Sequence, residues 1–215
     1  MLSIRRLQEL GLFSKKTLKA SEQEREDIKQ LREDWCEFQT IVEPCRLVFL
    51  DESGVKTNMT RLYGRASGGK RCHDKAPDGR WETVTVLSSI RLDGETESVM
   101  FEGAVDRKMF EAYIKEILGP NLRPGDIVIM DNLSSHKSQV AKEFIESRSA
   151  SYLFLPAYSP DFNPIEKMWS KVKQILRSLK ARTQEELFEA VAKALSMVTA
   201  NDAQGWFKSC GYVKS

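Results

Sequence analysis

The chain has 215 residues, about a third of them charged, and a net charge of +2, which suits one folded domain with a substantial core and excludes a disordered polyelectrolyte. Cys36, Cys45, Cys72 and Cys210 form no CxxC pair and His73 and His136 are the only histidines, which excludes a zinc ribbon and a disulfide framework and fits a reducing cytosol. The opening MLSIRRLQELGLFSKK is too polar for a signal peptide, and no run of about 18 apolar residues follows, so a soluble, intracellular protein is expected.

The first expected element is an amphipathic helix over residues 21–42, carrying Ile28, Leu31, Trp35 and Phe38 at helical spacing. Ser21 and Glu24 read as its capping box, and it stops before Pro44. Apolar, β-rich runs follow at 47–50, 84–90 and 98–102, the last two joined by a turn at Asp93-Gly94, giving a hairpin or meander. From Arg107 the period becomes helical through Phe110, Ile114, Ile117 and Leu118, until Gly119-Pro120 breaks it. A strand at 127–130, a helix around Val140, Phe144 and Ile145, and a strand at 152–155 come next. Runs 47–50 and 127–130 are wholly apolar and read as adjacent central strands buried on both faces.

The last third is helical. Asn163, Pro164 and Glu166 fit the N-cap, first and third positions of a helix whose stripe is Ile165, Met168, Trp169, Val172, Ile175, Leu176 and Leu179. A second helix opens at Thr183, with Glu186 completing a capping box, and turns Leu187, Val191, Leu195 and Val198 inward. The sum is an α/β fold, a mixed sheet flanked by helices behind an N-terminal amphipathic helix. Its expected divisions are a helical linker segment at 1–44, a catalytic domain at 45–182 and a helical extension at 183–215.

Asp51 closes LVFLD and Asp131 closes IVIMD, so two carboxylates emerge at the same edge of the sheet. Glu166 begins the helix after the next strand, and the loop from Pro156 to Pro164 can fold it back over that edge. Three converging carboxylates repel one another without a cation, and hard oxygen ligands select Mg²⁺ or Mn²⁺. Two such ions activate a water or a 3′-hydroxyl for in-line attack on a phosphodiester. Each acid also has a simpler reading, as a strand end or, for Glu166, as half of a helix cap.

The blocks LVFLDESGV, IVIMDNLSSHKS and LPAYSPDFNPIEKMWSKVK resemble the three catalytic blocks of DDE transposases of the mariner superfamily, most closely its bacterial insertion-sequence branch. The resemblance covers roughly residues 45–180 and includes the family's interval of 34 residues between the second Asp and the Glu. It implies an RNase H-like fold and two divalent ions, Mg²⁺ or Mn²⁺, held by Asp51, Asp131 and Glu166. It also implies hydrolysis of DNA at transposon ends, followed by strand transfer into target DNA. Relatives carry a paired helix-turn-helix region ahead of this unit, and the 50 residues before Asp51 are too few for one. The chain therefore resembles the catalytic half, acting as a homodimer on double-stranded DNA near the nucleoid, with a separate helix-turn-helix polypeptide as a possible partner. Two alternatives stand beside it: a truncated, inactive relative that binds and regulates full-length transposase, and an RNase H-like nuclease acting on other nucleic acids.

From Lys167 to Arg182 the sequence has six basic residues and no acid. Lys173 and Arg177 project on the flank of Glu166 and, with Lys167 and Lys171, are expected to meet the DNA backbone. Tyr158 is a candidate for base stacking and His136 for orienting a phosphate or water, with loop packing and capping as their plainer roles. Glu52 should point away from Asp51 by strand alternation. The basic segment Lys56 to Arg80 reads as a flexible, DNA-contacting hairpin. Gly64 to Arg71 imitates a phosphate-binding loop, but Arg71 stands where a Ser or Thr would hold Mg²⁺ and no helical pattern follows.

Overall fold

The computed structural model describes residues 21–64, 66–77, 79–133 and 136–214. The opening MLSIRRLQELGLFSKK, Arg65 of the apparent phosphate loop, and Ser134 and Ser135 of the second block lie outside the described residues. Five strands form one sheet: β1 (Leu47–Lys56), β2 (Thr83–Ile90), β3 (Ser98–Glu102), β4 (Ile127–Met130) and β5 (Ser151–Phe154), in the order β3-β2-β1-β4-β5. The first three are antiparallel neighbours, whereas β4 and β5 run parallel to β1. This is the expected mixed sheet, with the two apolar runs side by side at its centre.

Alternation along β1 decides which core each residue enters. Leu47 and Phe49 join one apolar cluster, Val48 and Leu50 the other, and all four are wholly buried. The second cluster is covered by helix α2 (Arg107–Ala112), its continuation Tyr113–Leu118, and α3 (Gln139–Ser147), through Phe110, Ile114, Leu118, Ala141 and Ile145. Over the first lie α1 (Glu26–Ile41), α4 (Pro164–Leu179), α5 (Gln184–Ser196) and α6 (Ala200–Ser209). Trp35, Trp169, Val191 and Phe207 thus belong to a single core with the sheet.

Several local expectations need correction. The Ser21–Glu24 capping box does not form: Ser21 bonds to Glu22, and α1 starts at Glu26 behind an uncapped Arg25. Its inward face begins only at Ile28, because Glu22 to Asp27 offers nothing to bury, and Leu31 stays exposed. Leu179, expected on the apolar stripe, is also exposed, as the last residue of its helix. Asp51 does not end its strand, because pairing of β1 with β2 runs on to Lys56↔Thr83. The capping box Thr183–Glu186 forms as expected. Helix α6 was not foreseen, although Thr199 and Asp202 cap it by the same reciprocal bonds.

The Asp93-Gly94 turn does connect β2 to β3, with Gly94 at φ 88°. A Cβ there would come within 2.9 Å of the backbone at Thr199 and Ala200, so glycine is required both by conformation and by the approach of α6. Residues 57–82 close the β1–β2 hairpin. The apparent phosphate loop within them is a short 3₁₀ turn, Ser67–Gly69, and the next element after it is strand β2 rather than a helix.

Candidate active site

The last parallel pair between β1 and β4 is Phe49↔Ile129. Asp51 and Asp131 each lie two residues beyond it, so the register sets them abreast where β4 stops and the sheet opens. The two-residue offset keeps Asp51 on the face of Phe49, toward α4. There Trp169, in the second turn of the helix and on its buried stripe, donates its indole Nε1–H to Asp51 Oδ2 at 3.2 Å. Glu166 sits one turn earlier on α4, exposed at its start. All three acids line one pocket of about 250 Å³, together with Asn132, Leu133 and the loop from Leu155 to Asn163.

Burial is the main influence on Asp51, only 8 % exposed, and pushes its carboxyl up to about 7, with the Glu166 and Asp131 charges adding to the rise. The Glu52 backbone N–H and the Trp169 indole oppose it. Asp131 is half-exposed and accepts from the Leu133 N–H at 3.3 Å. Negative charge is thus concentrated where, among the described residues, no Lys or Arg forms an ion pair with Asp51, Asp131 or Glu166. Among the described residues no three acidic, histidine or cysteine groups are already gathered in a metal-ligand cluster. The donor set itself, three carboxylates around one pocket, fits a hard divalent cation.

His136 takes up the plainer of its expected roles, packing. It is 1 % exposed and tilted against the Phe110 ring with centroids 4.6 Å apart, so it packs into the core. It does not cap a helix, since Ser138 caps α3 by accepting from the Ala141 N–H. Its Nδ1 lies 2.6 Å from Asp131 Oδ1, close but not aligned as a hydrogen bond, and its Nε2 lies 4.0 Å from Glu52 Oε2. Burial alone would lower the imidazole, but Asp131 and then Glu52 hold it above its usual value. Glu52, expected on the opposite face from Asp51, is found there, its carboxyl raised by burial.

The basic run divides into free and occupied groups. Lys171 pairs with Asp202 at 2.5 Å and donates to the Met197 carbonyl, so its charge is already met within the protein. Lys180 grips Asp74, and Arg182 donates to the Thr57 and Met59 carbonyls, pinning the hairpin loop to the end of α4. Lys167, Lys173 and Arg177 are partly exposed and have no ion-pair partner among the described residues. Arg177 borders a groove of about 670 Å³ with Arg61 and Tyr63 of that loop. Tyr158 stands on the pocket rim, 46 % exposed.

Two features escaped the sequence reading. Trp169 reads from its stripe as core alone, although a buried indole N–H needs an acceptor. Asn163, read as an N-cap, makes no side-chain cap bond, and its Oδ1 is buried without a partner beside the acid pocket.

Residues 46–188 match the family described as DDE superfamily endonuclease. The chain is 29 % identical over 102 residues to the Tcb1 transposable-element transposase of Caenorhabditis briggsae, covering 44 % of this chain and 37 % of that protein. The chain thus spans little more than a third of that curated relative. Among solved structures, the mariner Mos1 paired end complex with Mg superposes with a TM-score of 0.70 at 18 % identity, over 95 % of this chain and 64 % of that one. The catalytic domain of Mos1 mariner transposase superposes at 0.63 and 13 % identity, over 92 % and 93 %. The sheet and its helices are the RNase H-like fold of that domain, and the family match, which takes in Asp51, Asp131 and Glu166, places the chain among the DDE superfamily endonucleases.

Proposed function

We propose that this chain is the catalytic part of a Tc1/mariner-type transposase, cleaving DNA at transposon ends and joining the freed 3′ end to target DNA. The observation that carries this reading is the convergence of Asp51, Asp131 and Glu166, from three separate elements, on one pocket. Those three carboxylates are the ligands for two Mg²⁺ or Mn²⁺ ions. When bound, the ions lower the pKa of an attacking water or 3′-hydroxyl and stabilise the leaving oxygen. Asp51 enters such a site as a carboxylate held by the Trp169 indole, and its burial excludes competing water. Lys173 and Arg177, with Lys167, neutralise the phosphates of double-stranded DNA leading to the pocket, while Tyr158 offers a stacking surface at its rim.

The unit assigned to catalysis is 45–182, with 183–215 as an extension whose apolar face completes its core. The SPDFNPIE block supports the bacterial insertion-sequence branch, although the curated relative described above is a nematode protein. A homodimer working with a helix-turn-helix polypeptide in the nucleoid belongs to the same reading. No helix among the described residues is long and apolar enough to cross a membrane.

The test is cleavage of duplexes carrying the element's ends, with Mg²⁺ and a supplied end-binding partner. Asp51→Asn and Glu166→Ala should each abolish metal-dependent cleavage while remaining folded. Full activity in either variant would overturn the assignment.

A further inference from the structure

The loop from Leu155 to Asn163 supplies most of the wall facing Asp51 and Asp131 and delivers Glu166 to the pocket. It has little structure of its own. Tyr158 stands at φ 58°, and the internal bonds are Phe162 N–H to Ser159 O, Asn163 N–H to Pro160 O and Ser159 Oγ to Ala157 O, each 3.1 Å. Much of the remaining grip comes from α1, which lies more than a hundred residues earlier in the chain. Arg32 of α1 donates to Asp161 Oδ1 at 3.0 Å and Oδ2 at 2.7 Å, and to Ser159 Oγ at 2.7 Å. Its guanidinium also lies 4.3 Å from the centre of the Phe162 ring.

One turn along the same face, the Trp35 indole donates to Tyr212 Oη, which donates to the Phe162 carbonyl, both at 2.8 Å. Before the helix, Gln23 donates to the Tyr158 carbonyl at 2.5 Å. Four successive parts of the loop are therefore held from outside it. The planar fork of Arg32 fixes a carboxylate, a hydroxyl and a ring at once, which a point charge cannot do. The Arg32 side chain is only 19 % exposed, so the pair is partly shielded from water.

We infer that Arg32 is a positioning residue for the reaction: through Ser159, Asp161 and Phe162 it sets the loop, and thereby the height of Glu166 over Asp51 and Asp131. The inference rests on the metal-site reading above. Its purpose is to hold the third ligand at a distance that two ions can bridge, a task that a simple fold-stabilising pair does not have.

The experiment compares wild type, Arg32→Ala, Arg32→Lys and Asp161→Asn in the full chain. Three quantities are read: Mn²⁺ affinity by electron paramagnetic resonance without DNA, kcat and KM for end cleavage, and amide exchange of Phe162 and Asn163. Arg32→Ala should weaken Mn²⁺ binding by about ten- to a hundredfold, the range for supporting partners of metal ligands. It should also lower kcat with KM for DNA unchanged, and speed exchange of those two amides relative to β1. Arg32→Lys should recover only part of each. A folded Arg32→Ala protein with wild-type Mn²⁺ affinity, kcat and loop exchange overturns the inference. If that variant does not fold, Asp161→Asn, which keeps the shape and removes the charge, is judged on the same readings. Wild type that binds no Mn²⁺ defeats the metal-site reading itself; loop exchange then still decides whether Arg32 braces the loop.

Discussion

At the scale of single residues, the environment of Asp51 is costly by construction. An aspartate that ionises near 3.9 when unfolded and near 7 when folded binds more protons in the folded state between those values. Without metal, stability should therefore fall as pH rises from about 4 to about 7, by on the order of 4 kcal/mol, and stay low above it. Denaturant melts at pH 5 and pH 8 in the presence of a chelator measure this directly. Asp51→Asn should flatten the dependence, and adding Mg²⁺ at pH 8 should restore stability to wild type alone. The position of Asp51 was legible because an acid interrupting an apolar β run is conspicuous. Its neighbours were not: His136 touches Asp131 from five positions away in a turn with no period to read, and Arg32 meets Asp161 across 129 positions.

Among elements, capping was the part of the sequence most easily overread. Ser21…Glu24 and Thr183…Glu186 have the same spelling, yet only the second forms, because only there does an apolar face begin at once behind the cap. Thr183→Ala should cost about 1 kcal/mol, the ordinary worth of an N-cap. Asn163→Ala should cost less stability than Thr183→Ala, since the Asn163 side chain caps nothing. Thermal unfolding of the two variants side by side decides it. Strands were the most legible elements: β2, β3 and β4 fall within a residue of their expected bounds, because strong apolar or β-branched runs between polar turns leave few alternatives. Helix α6 was missed for the converse reason. Its cap uses Asp202 where Glu is usual, and only Ala203 and Phe207 are buried along it.

For the whole molecule, the fold was legible through one inference, that two wholly apolar runs ending in Asp must be central and adjacent. What the sequence did not show is how the charge is spent. Of six basic residues from Lys167 to Arg182, three are bound to the protein's own oxygens, so a count of positive charge overstates what remains for DNA. Removing Lys173 and Arg177 together should reduce the slope of log affinity against log salt by about 1.8, near 0.9 per lost phosphate contact. Lys171→Ala should leave that slope unchanged. Fluorescence anisotropy with labelled duplex across a salt series separates the two.

The bond from Trp169 to Asp51 has an optical corollary. The chain has four tryptophans, and only Trp169 is both buried and bonded to one of the three acids. Any cation that claims Asp51 Oδ2 changes the charge beside that indole. The emission of Trp169 is therefore a label-free reporter of the pocket, readable as the part of a metal-induced change that Trp169→Phe removes.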